Sequence, residues 1–129
     1  MNSMDKKKML IVEDDCLILD TLAHRFREEG FYVTAVVDGD LAEKSLAEEL
    51  PDIVLLDILI PEVGGMKVLE NLRNTKGGEK TPVILLTNLS DSSKVSEALS
   101  YGVTDYLVKS DWKLEDLIMK VKKYFPEMP

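Results

Sequence analysis

Cysteine is nearly absent from this sequence: Cys16 is the only one in 129 residues. No internal disulfide is available, so the fold must rest on its own core, which suits a reducing compartment. Histidine is as scarce, and a lone residue, His24, is no metal site. Basic residues are outnumbered, 16 Lys and Arg against 24 Asp and Glu, for a formal net charge of −8. That balance argues against a nucleic-acid partner, whose phosphates are held by basic patches, and against an anionic membrane surface. No apolar run approaches the roughly 18 residues of a membrane-spanning helix. After Lys6-Lys7-Lys8, the apolar stretch Met9-Leu10-Ile11-Val12 is cut off at Glu13. A secretory signal needs about 7–15 apolar residues, so the lysines read as a solvated lead-in. A cytoplasmic protein, monomeric or weakly dimeric, is the expectation.

What is present fits one ordinary globular domain: 45% hydrophobic and 31% charged residues. Its organising stretch is Ile53-Val54-Leu55-Leu56-Asp57. Four unalternating apolar residues read as a strand buried on both faces, inside a parallel sheet. The run ends on a carboxylate, and ligands of open parallel sheets sit just beyond the strands' carboxyl ends.

The rest of the chain repeats the theme. Strands are expected at Met9–Val12, Phe31–Val37, Val83–Leu86 and Tyr106–Val108. Between them lie helical patterns. The first, Cys16–Glu29, turns Ile18, Leu19, Leu22, Ala23 and Phe26 inward, with Asp15 as N-cap and Gly30 as stop. The second follows Asp38-Gly39-Asp40, carries Ala42, Leu46 and Leu50, and closes at Pro51. The third follows Pro61 and Gly64-Gly65 and carries Met66, Leu69 and Leu72. Residues 74–81 read as a surface loop. The fourth helix, Asp91–Ser100, has a thin stripe of Val95, Ala98 and Leu99. The last is capped by Ser110 or Asp111 and buries Leu114, Leu117, Ile118, Val121 and Phe125, with Trp112 packing at its start. Five β-α units mean an α/β fold with a parallel sheet covered by helices on both faces.

The strand ends supply Glu13 and Asp14, Asp57, Thr87 and Lys109. In a doubly wound sheet the first, third, fourth and fifth strands are neighbours, so these side chains meet at one switch point. Converging carboxylates repel unless a cation sits among them. Oxygen donors without His or Cys favour a hard ion, Mg2+ above all. A carboxylate nucleophile beside Mg2+, a lysine and a hydroxyl describes phosphoryl transfer onto Asp57. Each residue alone has a plainer reading. Glu13-Asp14-Asp15 suits an acid-rich helix start. Lys109 suits solvent, Thr87 a cap, and Tyr106 the core. Cys16 reads as structural. Asp38-Gly39-Asp40 is too short for a calcium loop, and Gly77-Gly78-Glu79-Lys80-Thr81 lacks the P-loop order.

Four segments together resemble the receiver domain of two-component response regulators. They are Leu10-Ile11-Val12-Glu13-Asp14-Asp15, Asp57-Ile58-Leu59-Ile60-Pro61 with Gly65, Leu86-Thr87, and Tyr106-Leu107-Val108-Lys109. The resemblance spans about Lys8 to Phe125, leaving residues 1–7 as lead-in and 126–129 as tail. It implies a CheY-like, flavodoxin-like (βα)5 fold with strand order 2-1-3-4-5, an order taken from the family rather than from spacing. It implies Asp57 as phosphoacceptor from a sensor histidine kinase or histidine phosphotransfer protein. Asp14, Asp57 and the Leu59 backbone carbonyl are implied as Mg2+ ligands, and Glu13 as a ligand through water. Lys109 is implied as the phosphate counter-charge, and Thr87 with Tyr106 as a switch pair acting on the face of the fourth strand, fourth helix and fifth strand. The expectation is a stand-alone signalling switch that binds a downstream protein, not an enzyme. Two alternatives stand beside it: a receiver-like adaptor that works without phosphorylation, and an aspartyl-phosphate phosphatase. The latter commonly needs an acid where Leu59 stands.

The sequence departs from the family at two positions. Ser110 replaces the usual proline after the lysine, and a cis bond before a non-proline costs about 2.5–4 kcal/mol, so a trans loop is expected. Asn88 replaces a very small residue after the switch hydroxyl, narrowing access for small phosphodonors. Labelling by acetyl phosphate should therefore be slow, and Asn88→Ala should accelerate it. An unchanged rate, followed by intact-mass spectrometry, removes the steric explanation.

Overall fold

A computed structural model describes residues 6–58, 60, 64–87, 92–109 and 113–128. Its strands are β1 (Lys8–Val12), β2 (Tyr32–Val36), β3 (Ile53–Asp57), β4 (Val83–Thr87) and β5 (Asp105–Val108). They pair in parallel in the order β2-β1-β3-β4-β5, as the family resemblance implied. The helices are α1 (Cys16–Glu28), α2 (Gly39–Glu48), α3 (Gly65–Asn74), α4 (Ser92–Leu99) and α5 (Leu114–Lys122). A short 3-10 turn, Gly78–Lys80, precedes β4.

Successive strand residues point to opposite faces, so each strand feeds two cores. Met9, Ile11, Ile53, Leu55, Ile84 and Leu86 face α1 and α5. Leu10, Val12, Val54, Leu56, Val83 and Leu85 face α2, α3 and α4. The continuous apolar runs in β3 and β4 follow from this double burial. In the first core Phe26 meets Phe31 edge-on at 5.7 Å, and Phe31 meets Phe125 at the same distance. Met128 packs on that core too.

Local signals explain several boundaries. The Asp15 carboxylate accepts from the amides of Leu17 and Ile18, capping α1. Asp38 caps α2 through the Leu41 amide at 2.9 Å. Gly30 closes the α1–β2 turn at φ +101°, a conformation costly for other residues.

Four expectations are corrected. Residues 74–81 are more than a surface loop: Gly78 and Thr81 are buried, and Gly78 starts the 3-10 turn. A Cβ at Gly78 would stand 2.2 Å from the Leu72 carbonyl oxygen, so the segment lies too close to α3 for any side chain there. Leu99 is 49% exposed rather than inward. It lies a helical step of about 100° beyond Ala98, which alone among the described α4 side chains is buried. Cys16 is exposed rather than structural, sitting on the outer side of the first turn of α1. The N-cap of α5 is Lys113, which makes no side-chain cap bond. Ser110, Asp111, Trp112 and the Lys109–Ser110 bond lie outside the described residues, as do Asn88 and Pro61. Boundary shifts elsewhere are small. α2 ends at Glu48 because Glu49 turns extended, leaving Leu50 half-buried beyond it.

Phe26 is fully buried between α1 and the sheet. Phe26→Ala should cost about 3–5 kcal/mol in urea unfolding, the usual range for a buried ring. A loss below about 1 kcal/mol would mean that the core can collapse around the gap.

Candidate functional site

Parallel pairing in register brings the carboxyl ends of β1, β3, β4 and β5 to one edge. Val12 pairs with Leu56, Asp57 with Leu86, and Thr87 with Val108. The residues one step past or at these ends are Glu13, Asp57, Thr87 and Lys109. Glu13 continues the β1–β2 ladder by donating its amide to the Val36 carbonyl at 3.1 Å. Lys109 does the same across β4–β5, donating to the Thr87 carbonyl at 2.6 Å. Gly65 lets the start of α3 approach the end of β3. A Cβ there would lie 2.6 Å from the Asp57 carbonyl oxygen.

The side chains converge. Lys109 Nζ donates to Asp57 Oδ2 at 2.8 Å and lies 2.6 Å from Glu13 Oε1. Glu13 is fully sealed from solvent, Asp57 is 5% exposed and Thr87 is buried. Asp14 is exposed at the mouth. Carboxylate oxygens of Glu13, Asp14 and Asp57 all fall within 4.8 Å of one another. The second Glu13 oxygen, Oε2, accepts weakly from the Asp15 amide at 3.4 Å.

Three carboxylates against one ammonium leave the cluster negative. Burial, reinforced by the neighbouring Asp57, pushes the Glu13 carboxyl up to about 7 despite Lys109. Burial pulls Lys109 down, but its bonds to Asp57 and Glu13 outweigh this and leave its pKa raised. Lys109 is therefore a fixed cation. It reaches Glu13 Oε1 at 2.6 Å as well as Asp57 Oδ2 at 2.8 Å, so one ammonium is shared between two carboxylates. A sealed Glu13 carboxylate grouped with two further carboxylates around one ammonium fits a hard cation with oxygen ligands.

The structure thus unites Glu13, Asp14, Asp57 and Lys109, with Thr87 on the adjoining strand end. Tyr106 stands apart. It pairs with Leu85 in the body of the sheet and is 44% exposed, so it is not the core ring of its plainer reading. Leu59, expected to offer a carbonyl, lies outside the described residues. Sequence reasoning did not single out the direct Glu13–Lys109 contact. Its only signal was that Glu13 follows a wholly apolar strand and so stays below the surface.

The sequence matches the model of the response regulator receiver domain over residues 9–122. The chain belongs to this receiver family. The phosphate regulon transcriptional regulatory protein PhoB of Rhizobium meliloti is 35% identical over 89% of this chain and 50% of its own length. The chain accordingly spans about half the length of the curated relatives it matches. A CheY-like receiver domain protein from Methanospirillum hungatei superposes with a TM-score of 0.86 at 26% identity, covering 96% of this chain and 97% of that one. The receiver domain of a Pseudomonas aeruginosa sensor histidine kinase gives a TM-score of 0.81 at 26% identity, covering 95% and 99%. That neighbour carries a magnesium ion coordinated in its active-site cleft. No helix among the described residues of this receiver is long and apolar enough to cross a membrane.

The raised Glu13 pKa carries a stability consequence of definite sign. In metal-free protein the folded state keeps a proton on Glu13 between its ordinary value of 4.5 and about 7, where the unfolded chain has released it. Folding stability contributed by this group therefore falls as pH rises across that window. Urea midpoints in chelator should decline between about pH 4.5 and about pH 7. Glu13→Gln should flatten the decline, and a slope unchanged in that variant would assign it to other groups.

Proposed function

We propose that this receiver domain is a phosphorylation-driven switch in which Asp57 accepts a phosphoryl group from a phosphohistidine of a sensor kinase or phosphotransfer protein. The observation that carries the reading is Lys109 held at 2.8 Å from a nearly buried Asp57, inside a three-carboxylate cluster. An Asp57 carboxylate oxygen attacks phosphorus, a P–O bond forms, and the P–N bond breaks with its electron pair returning to the imidazole. Lys109 stays charged throughout and can pass from the carboxylate to the new phosphoryl oxygens. Burial keeps bulk water from competing for the reacting oxygens.

Glu13, Asp14 and Asp57 would hold Mg2+, with the Leu59 carbonyl as the family's further ligand. When bound, the ion neutralises charge on the carboxylates and on the transferring phosphoryl oxygens. Glu13, sealed and already beside Lys109, would act at one remove through water, leaving Asp14 and Asp57 as direct ligands.

The output proposed is a surface change on the face of β4, α4 and β5. Thr87 would follow the phosphoryl group and Tyr106 would turn inward from its half-exposed position. Leu99 and Tyr106 give that face exposed apolar surface for a downstream protein. The net charge of −8 favours a protein over nucleic acid as the direct partner of this domain. The chain would act as a cytoplasmic switch rather than as a multiple-turnover enzyme.

Beryllofluoride titration with Mg2+, read by amide NMR, tests this. Resonances near Asp57 and Tyr106 should shift in the native chain and stay unmoved in Asp57→Ala. A native chain that does not respond would instead be an adaptor that works without phosphorylation.

A further inference from the structure

The stretch Gly30-Phe31-Tyr32-Val33-Thr34-Ala35-Val36-Val37 carries no charge and no proline, and most of it is β-branched or aromatic. Such a segment pairs readily with another strand. In the fold it supplies β2, an outermost strand that pairs with β1 alone among the described residues. Tyr32 donates its amide to the Lys7 carbonyl at 2.9 Å, and the Val36 carbonyl accepts from the Glu13 amide. Alternate residues of a strand turn their backbone groups to alternate sides, so Val33 and Ala35 present theirs outward, away from β1. The other outermost strand is blunted by charge: β5 opens on Asp105, which pairs with Lys120 at 2.9 Å. No residue of β2 does this for its own edge.

The guard of that edge comes from α1. Arg27, in the last turn, donates Nη2 to the Val33 carbonyl at 3.1 Å. The arginine ion pairs of α1 use Arg25, whereas the exposed Arg27 reaches across to the strand. On the other face, the edge borders an open groove of about 380 Å³ between β2 and α2, where Thr34 sits beside the exposed Tyr32 and Leu41. The groove leaves this side of the strand uncovered. Its charges, Lys8 and Lys44 with Glu48 and Glu49, balance, so the net charge of −8 is not concentrated here.

We propose that β2 is a self-association edge: it pairs antiparallel with β2 of a second copy about a two-fold axis at Thr34, and Arg27 is the latch that competes for the Val33 carbonyl. A second copy fits because the register is self-complementary. With Thr34 opposite Thr34 of the second copy, Val33 lies opposite Ala35 of the second copy and exchanges both amide–carbonyl bonds with it. Tyr32 then lies against Val36 of the second copy. Thr–Thr and aromatic–β-branched neighbours are favourable across strands, and no like charges meet within this pair. Each Val33 carbonyl must first leave Arg27, so the association is reversible and concentration-dependent. Antiparallel pairing sends the carboxyl edges of the joined sheet to opposite ends. Both Asp57 sites stay open, and the association does not require phosphorylation.

Disulfide trapping in a Cys16→Ser background reads the register. Opposed residues of a non-hydrogen-bonded antiparallel pair stand about 4.5 Å apart at Cα, within disulfide range. Thr34→Cys should therefore cross-link into a covalent dimer. Tyr32→Cys should not, although Tyr32 is the more exposed position, because the two copies of residue 32 lie about 14 Å apart along the strands. Arg27→Met, a change at an exposed site, should speed Thr34→Cys cross-linking about tenfold by freeing the carbonyl from a charged donor. Sedimentation equilibrium without engineered cysteines gives a second measure. Arg27→Met should dimerise about tenfold more tightly than the native chain, and adding Thr34→Lys, which sets two ammoniums on the axis, should return it to monomer. Cross-linking at residue 32 as fast as at residue 34, or a rate unchanged by Arg27→Met, would overturn the proposal. So would a chain that stays monomeric with and without Arg27, which would leave the edge to a strand of another protein. No phosphoryl analogue is used, so failure of the signalling reading leaves these results untouched.

Discussion

The structure depends on one ammonium held between two buried carboxylates. Lys109 sits 2.6 Å from Glu13 and 2.8 Å from Asp57, at the edge where β1, β3, β4 and β5 end. Burying carboxylates without a partner costs several kcal/mol, so this lysine is what lets β1 and β3 bring acids to the rim of a dry sheet. With all three carboxylates ionised, the cluster is still one divalent cation short of neutrality, which shapes what the site can hold. Structural and chemical roles therefore reside in one side chain, and removing it would disturb both.

Register converts that contact into a site. Five parallel strands in the order β2-β1-β3-β4-β5 place the ends of β1, β3, β4 and β5 side by side. A slip of one residue would exchange the two cores, putting the residues that now face α1 and α5 against α2 and α3. The apolar alternation therefore fixes the acids as firmly as it fixes the core. Gly65 adds a further constraint, because the start of α3 passes too close to the end of β3 for a Cβ.

Much of this was legible from the chain. Apolar runs that stop at Glu13, Asp57, Thr87 and Lys109 announce buried strands with chemistry at their tips, because a doubly buried strand tolerates polar groups only where it emerges. Helix stripes and the cap at Asp15 are local and were readable, whereas Asp38, legible only as part of a turn, is shown as the cap of α2 by the structure. What stayed hidden depends on packing between distant segments. The burial of Gly78 is set by its approach to Leu72, and nothing in its own neighbourhood signals that. The outward turn of Leu99 is set by how α4 lies on the sheet. Arg73 resembles any arginine at a helix end until the carbonyls of residues 78, 81, 101 and 102 are placed around it.

The position of Lys109 after the last strand has a consequence for synthesis. A ribosome delivers Glu13 and Asp57 well before it delivers their counter-charge. While β1 and β3 are available to pair and β5 is still unmade, the nascent sheet carries two acids at its rim without the ammonium that offsets them. Until the final strand docks, their repulsion opposes closure of that edge. The C-terminal quarter of the chain thus does more than complete a layer, because its arrival makes the earlier pairing electrostatically tolerable.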